Sequence, residues 1–355
     1  MSITKKFISM LLLVFSILTN SYANIIFGSD YGTYFSSNNG LNWSKVSIKG
    51  QPFLNTNAEV VYTDGKVMLA GVNVVGLVVS FDAGRTWSLS NSIPATLATF
   101  YKIQKINGII YVSMLTGMYR SNNDGKTFNK VLNQGGGITN NGNVLIVASG
   151  TNSGTDIYRS IDNGVTWSNV SSLKVSSYSI AESNGVYFLG TGLSGLYRSL
   201  DKGETWSKSA ELFGLGIKHI GVSNGMIFAS ANYNGQYLSL DNGLSWKKIS
   251  DLSNTTDLNY MFSGNNVVAG DSGGGAYISL NNGLSGTWTI IPNIPTSQSI
   301  ISQASTGKKM ALGTNKGFGS SAPPPNIYIS DDGGISWSAP SLPVNTPSIH
   351  SISIS

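Results

Sequence analysis

Six carboxylates outside the repeated motif of this chain are candidate partners for chemistry on its variable loops: Asp30, Glu59, Asp156, Glu211, Asp257 and Asp271. Two carboxyl groups held roughly 5–10 Å apart across a cleft suffice for glycoside hydrolysis, one as acid and the other as base or nucleophile. Nothing in the spacing pairs any two of the six. Around them lie side chains suited to holding a ligand. Tyr31, Tyr233 and Phe318 offer ring faces, Asn234 an amide and Lys316 a cation. With Asp30, Asp156 and Asp271 these form the candidate ligand-binding set. Other chemistries lack their parts. There is no Cys, and His219 and His350 are the two histidines, so neither a zinc site nor a disulfide framework is supported. No Gly-x-Ser-x-Gly elbow between a strand and a helix is present. No catalytic residue, metal or cofactor is implied.

The elements that must position those loops are written in a repeat. The pattern Ser-x-Asp-x-Gly-x-Thr-Trp is cleanest at Ser80–Trp87 and complete at Ser160–Trp167 and Ser199–Trp206. Ser replaces Thr at Ser239–Trp246 and Ser330–Trp337. Ser36–Trp43, Ser121–Phe128 and Ser279–Trp288 are degenerate, with Asn38, Asn123 and Asn281 in the Asp place. A period of about forty residues marks stacked supersecondary units. Each unit reads as four short strands. In Tyr178–Lys208 the turns fall at Ser183-Asn184-Gly185, at Leu193-Ser194-Gly195 and at the motif itself. The fold class is therefore all-β, a β-propeller of eight four-stranded blades, with seven as the alternative count.

The ends of the chain predict how the ring closes. Asn24–Gly28 aligns with second strands such as Gly225–Ala229, so the first blade lacks an inner strand at its start. The tail Ser348–Ser355 alternates apolar and polar residues, as a strand should, and fills that place. In a blade so wired, the loop from the second strand to the third and the connector to the next blade open opposite the motif turn. That variable face is the expected working surface. The motif residues Asp82, Asp162, Asp201, Asp241, Asp332, Trp87, Trp167, Trp206, Trp246 and Trp337 read as scaffold, with carboxylates bracing turns and indoles packing between blades.

The motif resembles the bacterial neuraminidase repeat, or Asp box, of sialidases, sortilin-type receptors, some glycanases and the photosystem II assembly factor family. The resemblance implies a propeller whose boxes lie on the third-to-fourth-strand turn, away from the ligand. A sialidase would also need three converging arginines. This chain has four in all, Arg85 inside a box and Arg120, Arg159 and Arg198 at equivalent places in successive repeats. Equivalent places on a ring do not converge.

Lys5 and Lys6, the apolar run Phe7–Leu18 and Ser21-Tyr22-Ala23 have the layout of a signal peptide over residues 1–23, leaving one propeller domain over 24–355. Export to a secreted, periplasmic or cell-surface location is expected, with no membrane span after cleavage. Losing Lys5 and Lys6 lowers the formal charge from +5 to +3, too little to favour nucleic acid. The residues thus point to an exported, monomeric, non-catalytic propeller that binds a glycan or an extended protein segment. The alternative is a glycoside hydrolase, sialidase-like or another glycanase, with a carboxylate pair on the same face.

Overall fold

The computed structural model describes residues 23–48, 57–94, 99–151, 154–315, 324–343, 346 and 348–355. They form eight antiparallel sheets in a ring, seven of four strands and one of three. Within each sheet the strands follow in chain order from the channel outward. The exception is the first blade, where Ile25–Ser29 pairs with the C-terminal strand Ile349–Ile354. The register Ile25↔Ile354, Ile26↔Ser353 and Phe27↔Ile352 closes the circle as the tail's alternation predicts. In the eighth blade the fourth strand shrinks to a single bridge, Ile329↔Ser338. Pro340 follows two residues later and has no N–H to extend the ladder.

Second strands are buried on both faces, because each is flanked by a strand on either side and by a blade above and below. Val186–Thr191 and Met226–Ser230 have every residue buried. Fourth strands are the solvent edge, and Ser207–Lys208 and Lys247–Lys248 are fully exposed and polar. Lysines on an outer edge suit it, since a charged edge resists pairing with another sheet. The eight apolar clusters lie between neighbouring blades. One of them joins Phe188 and Val186 of the fifth blade to Ile227, Ala229 and Trp246 of the sixth.

Each box is a hydrogen-bonded knot. In the second blade the Ser80 hydroxyl donates to Asp82 Oδ1 (2.9 Å) and accepts the Gly84 N–H (2.9 Å). Asp82 also accepts the N–H and hydroxyl of Thr86 (2.8 and 2.6 Å). The Thr86 contacts come first among those that hold its carboxyl down to about 2. The Trp87 indole N–H donates to Gly84 O (2.9 Å). In the degenerate boxes Asn38 and Asn123 accept the equivalent N–H through their amide oxygens. The box glycine is fixed twice over. Gly243 has φ +75°, and a Cβ there would sit 2.6 Å from the Phe188 ring of the preceding blade.

The arginines stay apart, as equivalent places on a ring must. Arg120 Nε donates to Asn163 O in the next blade (2.9 Å), and Arg159 pairs with Glu204 of the next box (2.5 Å). They staple blade to blade.

Candidate functional site

Inner strands start at the variable face and run toward the Asn-Gly turns on the box side. Near their starts the ladder slips by one residue in five blades. The extra residues are Glu59, Tyr101, Tyr178, Ile301 and His350. A bulge of this kind bends the strand and re-aims one side chain. Tyr101 and Tyr178 are thereby turned out, 46% and 52% exposed, at the mouth of the axial channel.

The mouth holds a cavity of about 500 Å³. Its wall comes from the inner edges of blades three to seven. They supply Tyr101 and Lys102, then Gly135–Ile138, Ser177–Ile180, His219 and Ile220, and Asn259 and Tyr260. The gap opens at the run Gly135-Gly136-Gly137, where there is no side chain to fill it. A Cβ on Gly135 or Gly136 would lie 2.0 Å from the carbonyl oxygen of Met114 or Ala148, so these backbones must stay bare. Beside the mouth, the Lys218 ammonium sits 3.7 Å from the centroid of the Tyr178 ring.

Enclosure sets the protonation of the wall. Burial, and then the charge of Lys218, push His219 down to about 4, so its imidazole is neutral at pH 7. Desolvation by the surrounding ring also lowers the Lys102 ammonium, although its side chain is exposed to the water of the channel. Burial raises Asp257, with Lys218 opposing.

The described residues among those expected to bind from sequence are distributed around the ring, and none of these lines the cavity. Asp30 pairs with His350 Nε2 at 2.5 Å, and its neighbour Tyr31 is 42% exposed. Asp156 accepts the Ser172 hydroxyl at 2.6 Å. Tyr233 projects from the short 3-10 turn Asn232–Asn234, 79% exposed. Asn234 sits in that turn, its carbonyl accepting the Tyr237 hydroxyl. Asp271 is buried, and its Oδ1 accepts from the N–H and hydroxyl of Thr256, in the connector entering the same blade, and from Gly273 N–H in its own loop. Lys316 and Phe318, with the rest of the loop up to Pro323, and residues 1–22 lie outside the described residues.

Of the remaining loop carboxylates, Glu59 and Glu211 are engaged, whereas Asp257 Oδ1 is buried without a hydrogen-bond partner. Glu59 accepts the Phe100 N–H (2.6 Å) and the Asn73 amide (3.2 Å). Glu211 accepts the Trp246 N–H (2.5 Å) of the next blade. Among the described residues no cluster of three or more His, Cys, Asp or Glu could hold a metal ion. No helix among them is long and apolar enough to cross a membrane.

Sequence reasoning missed Tyr101, Lys102, Tyr178, His219 and Asn259 because they lie inside strands. Two signals were present. One is the glycine run after Gln134; the other is a polar pair, Tyr101-Lys102, opening a strand whose register should bury every second residue.

The profile of the BNR/Asp-box repeat matches residues 328–339, the last box. Solved propellers superpose on the chain. YCF48 bound to D1 peptide does so at TM-score 0.52 and 18% identity, over 70% of this chain and 82% of that one. YCF48 from Cyanidioschyzon merolae gives 0.55 and 15%, over 78% and 95%. A GH74 xyloglucanase from Xanthomonas campestris gives 0.53 and 13%, over 92% and 67%. No curated protein matches the sequence. With the eight sheets in a ring, these likenesses define the class by fold: the chain is a β-propeller that carries a BNR/Asp-box repeat at residues 328–339.

Proposed function

We propose that this is an exported, non-catalytic binding protein that seats a glycan or an extended protein segment at the mouth of its axial channel. The observation that carries the reading is the cavity of about 500 Å³ on the variable face, a size suited to a small ligand or a chain end. Its wall offers tyrosine faces, an amide, a neutral imidazole and one ammonium, and no carboxylate is among the residues that line it. That composition suits holding by stacking and hydrogen bonds. One superposable structure fits the reading by its name, being bound to a peptide, while the name of another, a xyloglucanase, fits the hydrolase alternative.

The hydrolase alternative needs a free carboxylate pair. Asp30, Glu59, Asp156, Glu211 and Asp271 are each tied to a partner within the protein, which leaves Asp257, with its unpartnered Oδ1, without a second free carboxylate among the six candidates. The deciding experiment is a glycan array with a peptide library and a glycosidase panel, run on chain 24–355. Binding without turnover is the expected result. Turnover of any glycan would replace the binding reading with the hydrolase.

A further inference from the structure

We propose that the channel mouth is an acidic-glycan site, in which Lys102 is the countercharge for a uronate carboxylate. The inference rests on the binding function above and names its ligand class. Lys102 lies in the inner strand Phe100–Ile106, and its side chain lines the cavity. Among the described residues, none of the ion pairs or hydrogen bonds includes its ammonium. Among the described residues that line the cavity with it there is no carboxylate. The carboxylate on the neighbouring inner strand, Glu59, is already spent on Phe100 N–H and the Asn73 amide. Its side chain is exposed to the water of the channel, and a carboxylate arriving within roughly 4–6 Å of this ammonium favours its charged form.

The room beside Lys102 has a built cause. Gly135, Gly136 and Gly137 of the next blade present backbone alone, and the first two admit no Cβ. The rest of the wall suits a polyhydroxylated ring. Tyr101 and Tyr178 present ring faces. One face of Tyr178 is covered by Lys218, which leaves the other to stack on a sugar. Asn259 and His219 supply neutral donors and acceptors for hydroxyl groups.

An acidic peptide would also bring carboxylates, but it would dock best by adding a strand to an inner edge. The bulges at Tyr101 and Tyr178 break the register of two of those edges at the cavity. The geometry thus favours the sugar acid.

The test is calorimetric titration of chain 24–355 with three probes: trigalacturonic acid, its methyl ester and a hexaglutamate peptide. The ester removes the charge and keeps the sugar. Wild type should bind the acid about tenfold or more tightly than the ester, the order expected of one charge-assisted contact. Lys102→Gln should lose that preference and bind the ester like wild type, while Lys102→Arg keeps it. Equal binding of acid and ester by wild type overturns the proposal and leaves the binding function standing. Tighter binding of hexaglutamate overturns the glycan assignment. Binding of a neutral glycan alone on the array, with none of trigalacturonic acid, likewise refutes only this inference, whereas an empty array and library refutes both. If Lys102→Gln melts early, the wild-type acid and ester titrations still decide.

Discussion

His350 Nε2 lies 2.5 Å from Asp30 Oδ1, joining residues 320 positions apart across the seam where the ring closes. Both side chains are partly exposed, 31% and 44%. An ion pair in that setting contributes about 0–1 kcal/mol. The strength of the seam lies instead in the closing strand, whose Ile349, Ile352 and Ile354 are buried against Ile25, Phe27 and Ile327.

Two truncations therefore separate sharply. His350→Ala should lower stability by about 1 kcal/mol or less. Deleting Ser348–Ser355 should strip the first blade of its inner strand, expose the edge of Ile25–Ser29 and lead to aggregation or a large fall in Tm. Thermal melts of the two variants beside wild type read this directly. A deletion variant that melts like wild type would remove the closure from any account of stability.

The boxes divide by burial. Trp87 is nearly buried, packs on Phe35 of the preceding blade at 6.0 Å between ring centroids, and donates to Gly84 O. Trp87→Ala should cost about 3–5 kcal/mol, as other large core truncations do. Asp201 braces its turn through Ser199, Thr205 N–H and Thr205 hydroxyl near the surface. Asp201→Ala should cost about 1 kcal/mol. Denaturant titration gives both values. A loss of ligand binding in Asp201→Ala with stability intact would show that the box does more than brace a turn.

Repetition made the scaffold legible. Eight motifs fix the blade count, the positive φ of Asn184-Gly185 and Asn224-Gly225 follows from residue type, and the alternation of Ser348–Ser355 foretells its pairing. The site was harder to read because it departs from the repeat. A bulge at Tyr101 or Tyr178 is one extra residue in a strand, invisible to a period of two. The loop carboxylates misled for a related reason. Asp271 looks exposed by its place at the end of a strand, yet Gly273 N–H from its own loop and the N–H and hydroxyl of Thr256 from the connector beside it all donate to it. Loop position does not tell whether a side chain faces solvent or its own backbone.

Acid should weaken the fold in two windows. His219 is held down to about 4, below its ordinary 6.5, by burial and then by Lys218. As pH falls from 6.5 toward 4 the unfolded chain gains a proton there and the folded chain does not, so stability falls across that range. His219→Gln should flatten it. Asp82 and Asp241 are held down to about 2, chiefly by the hydroxyls of Thr86 and Ser245. Their contribution persists until pH passes below the ordinary carboxylate value of 3.8 and is lost toward 2. Stability against pH for wild type and His219→Gln checks both. Identical curves between pH 6.5 and 4 would mean that the imidazole is not shielded in the folded ring.

The place where ligand sits can be read from a graded series of substitutions. Tyr178 lies at the inner mouth, fixed against Lys218, whereas Tyr233 stands 79% exposed on the outer loops of the same face. Lys126 and Lys202 belong to box turns on the opposite face. A ligand seated in the channel should lose about tenfold or more in affinity with Tyr178→Ala, since stacked aromatic contacts of this kind contribute on the order of 1–2 kcal/mol. Tyr233→Ala should then matter little, and Lys126→Ala and Lys202→Ala not at all. A ligand draped across the loops would reverse the order of the two tyrosines. All four side chains are substantially outside the blade cores, so melting temperatures should stay near wild type and affinities can be compared without correction. The measurement is titration of each variant with whichever array ligand wild type binds. Loss confined to Lys126→Ala or Lys202→Ala would place recognition on the box face, where the eight turns differ mainly in the residues between the conserved Ser, Asp and Gly.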